Sequence, residues 1–336
     1  MVNKPKAILL YSGGLDSTLA LHILTSQGID VTALTFITPF YNYDRESKAF
    51  KNILETVNRL KCRLKVVSLE EEYLSILKSP KYGYGRAANP CVDCRILMMK
   101  HAKRVMEEEE ADFIATGEVL GQRPFSKTVE RLETIDREAG VEGLVLRPLS
   151  AKLLSETIPE KKGLVRREGL FDIRGRSRRV QLELARKFGI TGYPPPAGGC
   201  LLTEKAFGKR FEDLKRYNPN FSLKDAILLK FGRHLRLDDK TKIIIGRNKS
   251  ENEQLVKHVS PEDIIFEILD YKGPVGLYYG TLDDSLLKKA ASIIISYSKA
   301  PKNFPVKVKF YNRLGFEKIV ESGAISMDEV HLLLIK

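Results

Sequence analysis

The chain has 336 residues, 43% of them hydrophobic and 29% charged, with 56 Lys and Arg against 43 Asp and Glu for a net charge of +13. A length of this order predicts two or three domains with more than one core, and the composition is that of an ordinary soluble globular protein. No apolar stretch approaches the roughly 20 residues that cross a bilayer, which argues against a membrane-spanning helix.

The opening MVNKPKAILLYSGG runs straight into a continuous apolar stretch at 7–11, the pattern of a buried parallel strand. That leaves no room for a signal peptide, so the expected location is the cytoplasm. From Asp16 the apolar positions Leu19, Leu21, Ile23 and Leu24 favour a helix, which Gly28 stops. Between strand and helix lies SGGLDS, residues 12–17. Amides at such a turn point outward at a helix N-terminus, and unpaired N–H groups and the helix dipole both favour negative charge. Ser12 and Ser17 add hydroxyls, Gly13 and Gly14 let the backbone approach closely, and Asp16 is placed to help hold a metal ion bridging phosphates. No Lys follows the glycines, as a Walker loop requires, and there is no GxGxxG. The hexapeptide resembles the PP-loop of the N-type ATP pyrophosphatases. That resemblance implies ATP as ligand, with Mg²⁺, cleaved between its α- and β-phosphates so that AMP is attached to a carbonyl oxygen.

Further strands are expected at 31–37, 64–69 and 111–117, with helices at about 45–61 and 93–110 between them. Alternating strands and helices predict an α/β fold, a parallel sheet covered on both faces. Ligands of such sheets bind at the carboxyl ends of the strands. SGGLDS, Thr35-Phe36 and Thr116-Gly117 all fall at such ends, so they are expected to converge on one ATP crevice. Glu118 is a candidate ATP or metal contact, or simply a strand-end carboxylate.

Four cysteines in a cytosolic chain point to metal or catalysis rather than a disulfide framework. Cys62 stands alone before an apolar strand and reads as a small core residue. NPCVDC places Cys91 and Cys94 in a CxxC after an Asn-Pro turn, and Cys200 ends the loop TGYPPPAGGC. A redox pair needs no third cysteine, and a closed zinc site needs a fourth ligand that is not evident. Three thiolates suit a [4Fe-4S] cluster with one iron left open, while a persulfide carried on Cys200 or Cys94 is the cluster-free alternative.

NPCVDC resembles the NPDxxC of the MnmA-type tRNA thiouridylases, with Cys91 standing where that family has Asp. The CxxC with a distant Cys is similar to TtuA and archaeal-type ThiI proteins, which bind an iron–sulfur cluster. ATGEVLGQRPFSKT, 115–128, resembles the TGExLGQxxSQT segment of ThiI, with Lys127 in place of the family's Gln. These resemblances cover about residues 5–205 and imply a tRNA thiouridine synthase. In that reading Asp16, Cys91, Cys94 and Cys200 carry the chemistry, and the three cysteines are the metal ligands. No counterpart of the THUMP or rhodanese regions of ThiI is expected within these 336 residues.

Residues 161–180 hold eight Lys and Arg against two acids, with Arg174, Arg176, Arg178 and Arg179 flanking Gly175. They are candidates for a phosphate backbone, although a charge run is also the ordinary look of a solvated face. The pI near 9.4 agrees with an acidic partner. The pattern changes past Cys200, so the expected domains are 1–203 and 204–336. In the second, 231–255 resembles the RNA-binding module of NFACT proteins, carrying its GRN…EN sequence at Gly246-Arg247-Asn248 and beyond. Those three residues read equally as a strand-end turn. Strands at about 242–246, 263–268, 275–279, 305–310 and 331–335 predict a small α+β domain that grips tRNA. The expected activity is ATP-dependent thiolation of a tRNA uridine, with sulfide or a persulfide carrier as sulfur donor. A PP-loop enzyme acting on a small molecule and a non-catalytic RNA-binding protein are the alternatives.

Overall fold

The computed structural model describes residues 4–40, 48–85, 87–123, 125–193 and 200–336. The expected helix start at Arg45 and most of the loop before Cys200 lie outside them. Contacts divide the chain into two units, Met1–Cys200 and Leu201–Lys336.

In the first unit, β1 (Lys6–Leu10), β2 (Asp30–Ile37), β3 (Arg63–Ser68), β4 (Phe113–Thr116) and β5 (Val145–Leu146) form one sheet of order β3-β2-β1-β4-β5. Every pairing in it is parallel. The helices are α1 (Leu15–Ser26), α2 (Lys48–Arg59), α3 (Glu70–Lys78), α4 (Cys91–Glu108), α5 (Val129–Ala139), α6 (Ile158–Lys161) and α7 (Arg179–Lys187). Alternate residues of the strands divide between two faces, as the pleat requires. Ala7, Leu9, Val31, Ala33, Phe113 and Ala115 join Leu19, Leu24, Val57 and Leu184 in one core under α1, α2 and α7. The opposite face carries α4, which packs on β1 and β4 and against α3 and α5. Each fully buried Leu, Ile or Phe of such a core contributes roughly 1.5–3 kcal/mol. Cys62 packs half-buried at the edge of the first core, and burial pushes its thiol up to about 11, with Asp30 adding.

The strand order places the site. The chain runs from β1 outward to β2 and β3, then returns to put β4 on the other side of β1. The turns after β1 and β4 therefore leave the sheet on either side of its topological switch point, where open α/β sheets form their ligand crevice.

The second unit is an antiparallel sheet of β6 (Arg233–Arg236), β7 (Lys242–Ile245), β8 (Ile264–Ile268), β9 (Val275–Tyr279), β10 (Val306–Tyr311) and β11 (Glu317–Ser322), in order β11-β10-β8-β9-β7-β6. Its helices are α8 (Lys205–Tyr217), α9 (Leu223–Leu228), α10 (Lys249–Lys257), α11 (Asp284–Ser296) and α12 (Met327–Leu333). Ile243, Ile245, Phe266 and Phe310 face the core with α11 and α12, while Ile244, Ile265 and Leu277 face Leu228 and Leu255. The expected strand at 331–335 is a correction: residues 327–333 are helical. Ser326 and Glu329 form a reciprocal capping box that starts a helix there. Only Leu334 makes a strand-like bridge, to Leu235.

Candidate functional site

The turn after β1 is held by its own hydroxyls. Ser17 Oγ donates to Gly14 O at 3.0 Å and lies 3.1 Å from Ser12 Oγ. Ser12 N donates to Ser17 Oγ at 3.3 Å. Gly13 sits at φ 70°, a left-handed conformation that costs a side-chain-bearing residue energy. Gly14 caps α1, whose first i→i−4 bond is donated by Thr18 to Gly14 O at 3.0 Å. The amides of Leu15, Asp16 and Ser17 precede that bond and have no partner inside the helix. The result is a pinned loop with an anion-attracting helix end.

Gly117 and Glu118 supply the facing wall. A Cβ on Gly117 would stand 2.5 Å from Ser17 N and 2.6 Å from Asp16 C, so only glycine lets β4 end against the start of α1. Glu118 is 3% exposed, and its carboxylate meets Arg95 Nε and Arg147 Nε, each at 3.2 Å. Arg147 forks onward to both oxygens of Asp136 at 2.8 and 2.9 Å. Burial alone would raise the Glu118 carboxyl; Arg95, Arg147 and Lys127 overcome it and hold the group at about 2. Asp16 Oδ2 accepts from Gln122 Nε2 at 2.8 Å, and Gln122 Oε1 accepts from Lys127 Nζ at 2.7 Å. Asp16 Oδ1 is buried without a hydrogen-bond partner. Burial pushes the Lys127 ammonium down to about 8, against Glu118 and Asp16, which raise it; Arg95 and Arg123 add to the lowering.

Thr35 and Thr116 end up turned inward. The Thr35 hydroxyl donates to Tyr11 O at 2.9 Å, and that of Thr116 to Glu118 Oε2 at 3.2 Å. Phe36 is buried with its ring edge-on to His101 at 6.2 Å. These three shape the carboxyl edge of the sheet through packing.

The thiols gather around Tyr73, a buried residue of α3. Burial pushes its hydroxyl well up, and Cys94, Cys200 and Cys91 all act on it in the same direction. Cys94 lies in the first turn of α4, where burial, Cys200 and Cys91 push its thiol up to about 12 against Arg95. Asn89 Nδ2 donates to Cys91 Sγ at 2.9 Å. Asp93, between the two cysteines, accepts from the amides of Lys81 and Tyr82 at 2.8 and 3.1 Å and ties down the preceding loop. Among the described residues no three His, Cys, Asp or Glu side chains stand at metal-ligand spacing. Cys91, Cys94 and Cys200 nonetheless all act on the one Tyr73 hydroxyl, and three thiols are the soft donors a thiophilic centre takes.

The arginine run reaches this edge of the unit as well. Arg174 bridges Leu120, and Gly175 N donates to Leu120 O at 2.8 Å, two residues before Gln122. Arg176 and Arg179 are exposed, with Arg179 paired to Glu183 at 3.0 Å, and Arg178 Nε is buried without a partner.

In the second unit the GRN…EN residues do structural work. Asn248 caps α10 through Glu251 N, Arg247 binds the Glu251 carboxylate, and Asn252 Oδ1 accepts from Val275 N.

Sequence reasoning missed Arg95, Arg147, Asp136, Gln122 and Tyr73 as members of the site. Only Gln122 carried a signal, lying inside the ThiI-like segment.

Residues 3–158 match the family model described as thiamine biosynthesis protein (ThiI), and residues 232–332 that described as NFACT protein RNA binding domain. The two matches fall on different units of the chain. Solved structures similar to it include a 4-thiouridine synthetase–RNA complex with bound ATP, at 24% identity and TM-score 0.36, over 54% of this chain and 50% of that one. This chain therefore spans about half the length of that structure. Another is the U34-tRNA thiolase NcsA from Methanococcus maripaludis with its [4Fe-4S] cluster, at 18% and 0.37, over 68% and 73%. A third is NMN synthetase from Francisella tularensis, at 13% and 0.29, over 58% and 90%.

Proposed function

We propose that this chain is an ATP-dependent tRNA sulfurtransferase of the cytoplasm, which adenylates a uridine carbonyl and replaces its oxygen with sulfur. The observation that carries the reading is the Arg95–Glu118 ion pair at 3.2 Å. Arg95 follows Cys94 on α4, and Glu118 follows Gly117, whose backbone rests on Asp16 and Ser17. The pair thus ties the three-thiol site to the SGGLDS turn.

Hydroxide leaves a pyrimidine carbonyl poorly, so the oxygen must first become part of a better leaving group. The uridine oxygen attacks the α-phosphorus of ATP, the bond to the β-phosphate breaks, and pyrophosphate departs. Hydrosulfide then attacks the activated carbon, the carbon–oxygen bond breaks to release AMP and the proton is lost to solvent; a persulfide carrier supplies sulfur at this level only after a second thiol cleaves its S–S bond and is itself oxidised to a disulfide. The amides at the head of α1, with Ser12 and Ser17, hold the departing phosphates. Asp16 Oδ1, a buried carboxylate oxygen without a partner, fits a hard cation such as Mg²⁺ sharing that charge. Cys91, Cys94 and Cys200 would hold a [4Fe-4S] cluster, which when bound offers a place for a sulfur species from sulfide or a persulfide carrier. Asn89 orients Cys91 for it. The second unit and the arginine run by Leu120 grip tRNA through its phosphates.

Mass spectrometry of tRNA nucleosides from cells lacking the gene tests this. One thiouridine should disappear, return with the wild-type gene, and stay absent with Asp16→Ala. Unaltered thiouridine content in the deletion strain would sink the reading.

A further inference from the structure

Two connections of the second unit leave large apolar side chains in solvent. One, residues 269–274, joins β8 to β9, and the other, 297–305, joins α11 to β10. Backbone bonds set them side by side at one end of the sheet. Leu269 N donates to Lys307 O, at the start of β10, at 3.1 Å, and Lys299 N donates to Lys272 O at 3.4 Å. Leu269 and Tyr271 on the first connection are 42% and 43% exposed, and Phe304 on the second is 67% exposed. Single exposed hydrophobic residues are ordinary, whereas several on adjoining segments mark a surface that meets something. Phe304 is not carried on a loose segment. Lys302 Nζ donates to Ile295 O and, at 2.9 Å, to Ser298 O at the end of α11, and Ala300 N donates to Ser298 Oγ at 3.0 Å. Pro301 and Pro305 fix further backbone angles around it. The charge beside these rings is positive. Lys272, Lys299 and Lys307 are exposed, and no ion pair engages them among the described residues. The two connections hold one acid, Asp270, and Glu321 stands across from Lys307 on β11. Tyr297, which opens the second connection, carries the Arg233 guanidinium over its ring at 4.5 Å.

We infer that this end of the sheet is a stacking platform for single-stranded RNA, with bases on Phe304 and Tyr271 and phosphates on Lys272, Lys299 and Lys307. The inference rests on the reading that the second unit binds RNA, and says which of its surfaces does so and which form of RNA it takes. An unpaired base offers a flat π face to an aromatic ring, and its phosphates draw the ammonium groups beside the ring. A duplex keeps its bases stacked on one another, so it can use the lysines and not the rings. The same lysines argue against an apolar protein face as the occupant, because docking there would strip water from charges left unpaired. The whole patch falls within 232–332, the stretch that matches the NFACT RNA-binding model.

Fluorescence anisotropy on the intact chain tests it, using a labelled short single-stranded RNA and a blunt duplex of the same length. Phe304→Ala removes a ring that is two-thirds exposed, so the melting temperature should hold. Affinity for the single strand should fall roughly five- to thirtyfold, the worth of one stacked base, with duplex affinity unchanged. Tyr271→Ala should act in the same direction, and Phe304→Trp should keep wild-type binding. Lys272→Gln and Lys307→Gln should instead weaken both RNAs and each lower the salt slope by about one. If both alanine variants bind the single strand as tightly as wild type, the rings meet no base and the inference falls alone, whether they face water or a second protein. Equal loss of both RNAs in those variants would overturn it too, since a duplex has no free base to stack. If the wild type binds neither RNA, the RNA-binding reading of the unit falls, and the platform with it.

Discussion

Asp16 presents its two carboxylate oxygens to different surroundings. One accepts from Gln122, which is itself held by Lys127, and the other is buried without a partner. Lys127 stands where the ThiI-like segment has Gln, so a cation backs the Asp16 loop in this chain. Its ammonium is held near 8 by burial. The charge that favours a polyphosphate is present below that pH and lost above it. The kcat/KM for pyrophosphate release should therefore fall as pH rises through about 8, since that ratio reports the free enzyme. Bound phosphates push the ammonium back up, so the fall in kcat should come at higher pH. Lys127→Gln should flatten the limb and raise KM for ATP; an unchanged alkaline limb in that variant would assign it to another group. The cysteines separate by surroundings too. Anaerobic reconstitution should load about four irons per chain. Cys91→Ala, Cys94→Ala and Cys200→Ala should each lose most of that iron by chemical assay and the thiolation with it. Cys62→Ala, at the edge of a core, should lose neither. Iron-free protein thiolating at full rate from a persulfide donor would make the three cysteines sulfur carriers instead.

The junction of β4 with α1 is the tightest contact between elements of the site. Gly117→Ala drives its Cβ to 2.5 Å from Ser17 N, with only backbone there and no flexible side chain able to give way. Overpacking of that kind costs typically about 1–3 kcal/mol. Thermal denaturation should show a lower midpoint, and ATP binding by calorimetry should weaken with it; wild-type values for both would mean the wall moves freely. The parallel sheet and the SGGLDS turn were legible in the sequence because both are local: an apolar run, a glycine pair and a helical period lie side by side. NPCVDC was legible for the same reason, and Cys200 was grouped with it because a CxxC with one distant Cys fits neither a redox pair nor a closed zinc site, a grouping the resemblance to cluster-binding proteins strengthened. Arg95, Glu118, Arg147 and Asp136 were not legible as a network, since their pairing is decided by α4, β4, β5 and α5 meeting in space. At the C-terminus the opposite happened, and a local signal went unread. HLLLI has the look of a strand, but the capping box of Ser326 and Glu329, five and two residues before His331, settles the backbone as helix first.

At the scale of the whole molecule, a net charge of +13 accompanies a ThiI-type domain and an NFACT-type module in one chain. The first unit holds the pinned loop, the orphaned Asp16 oxygen and the three thiols; the second holds an antiparallel sheet flanked by five helices. The proposed coupling of ATP cleavage to sulfur transfer onto tRNA has a fixed stoichiometry. It is tested most directly by incubating reconstituted protein with ATP, Mg²⁺, sulfide and unmodified tRNA, then counting AMP, pyrophosphate and thiouridine in the same sample. The three should appear in equal amounts, all dependent on tRNA and all absent with Asp16→Ala. Thiouridine formed without ATP, or ATP cleaved to ADP and phosphate, would contradict it.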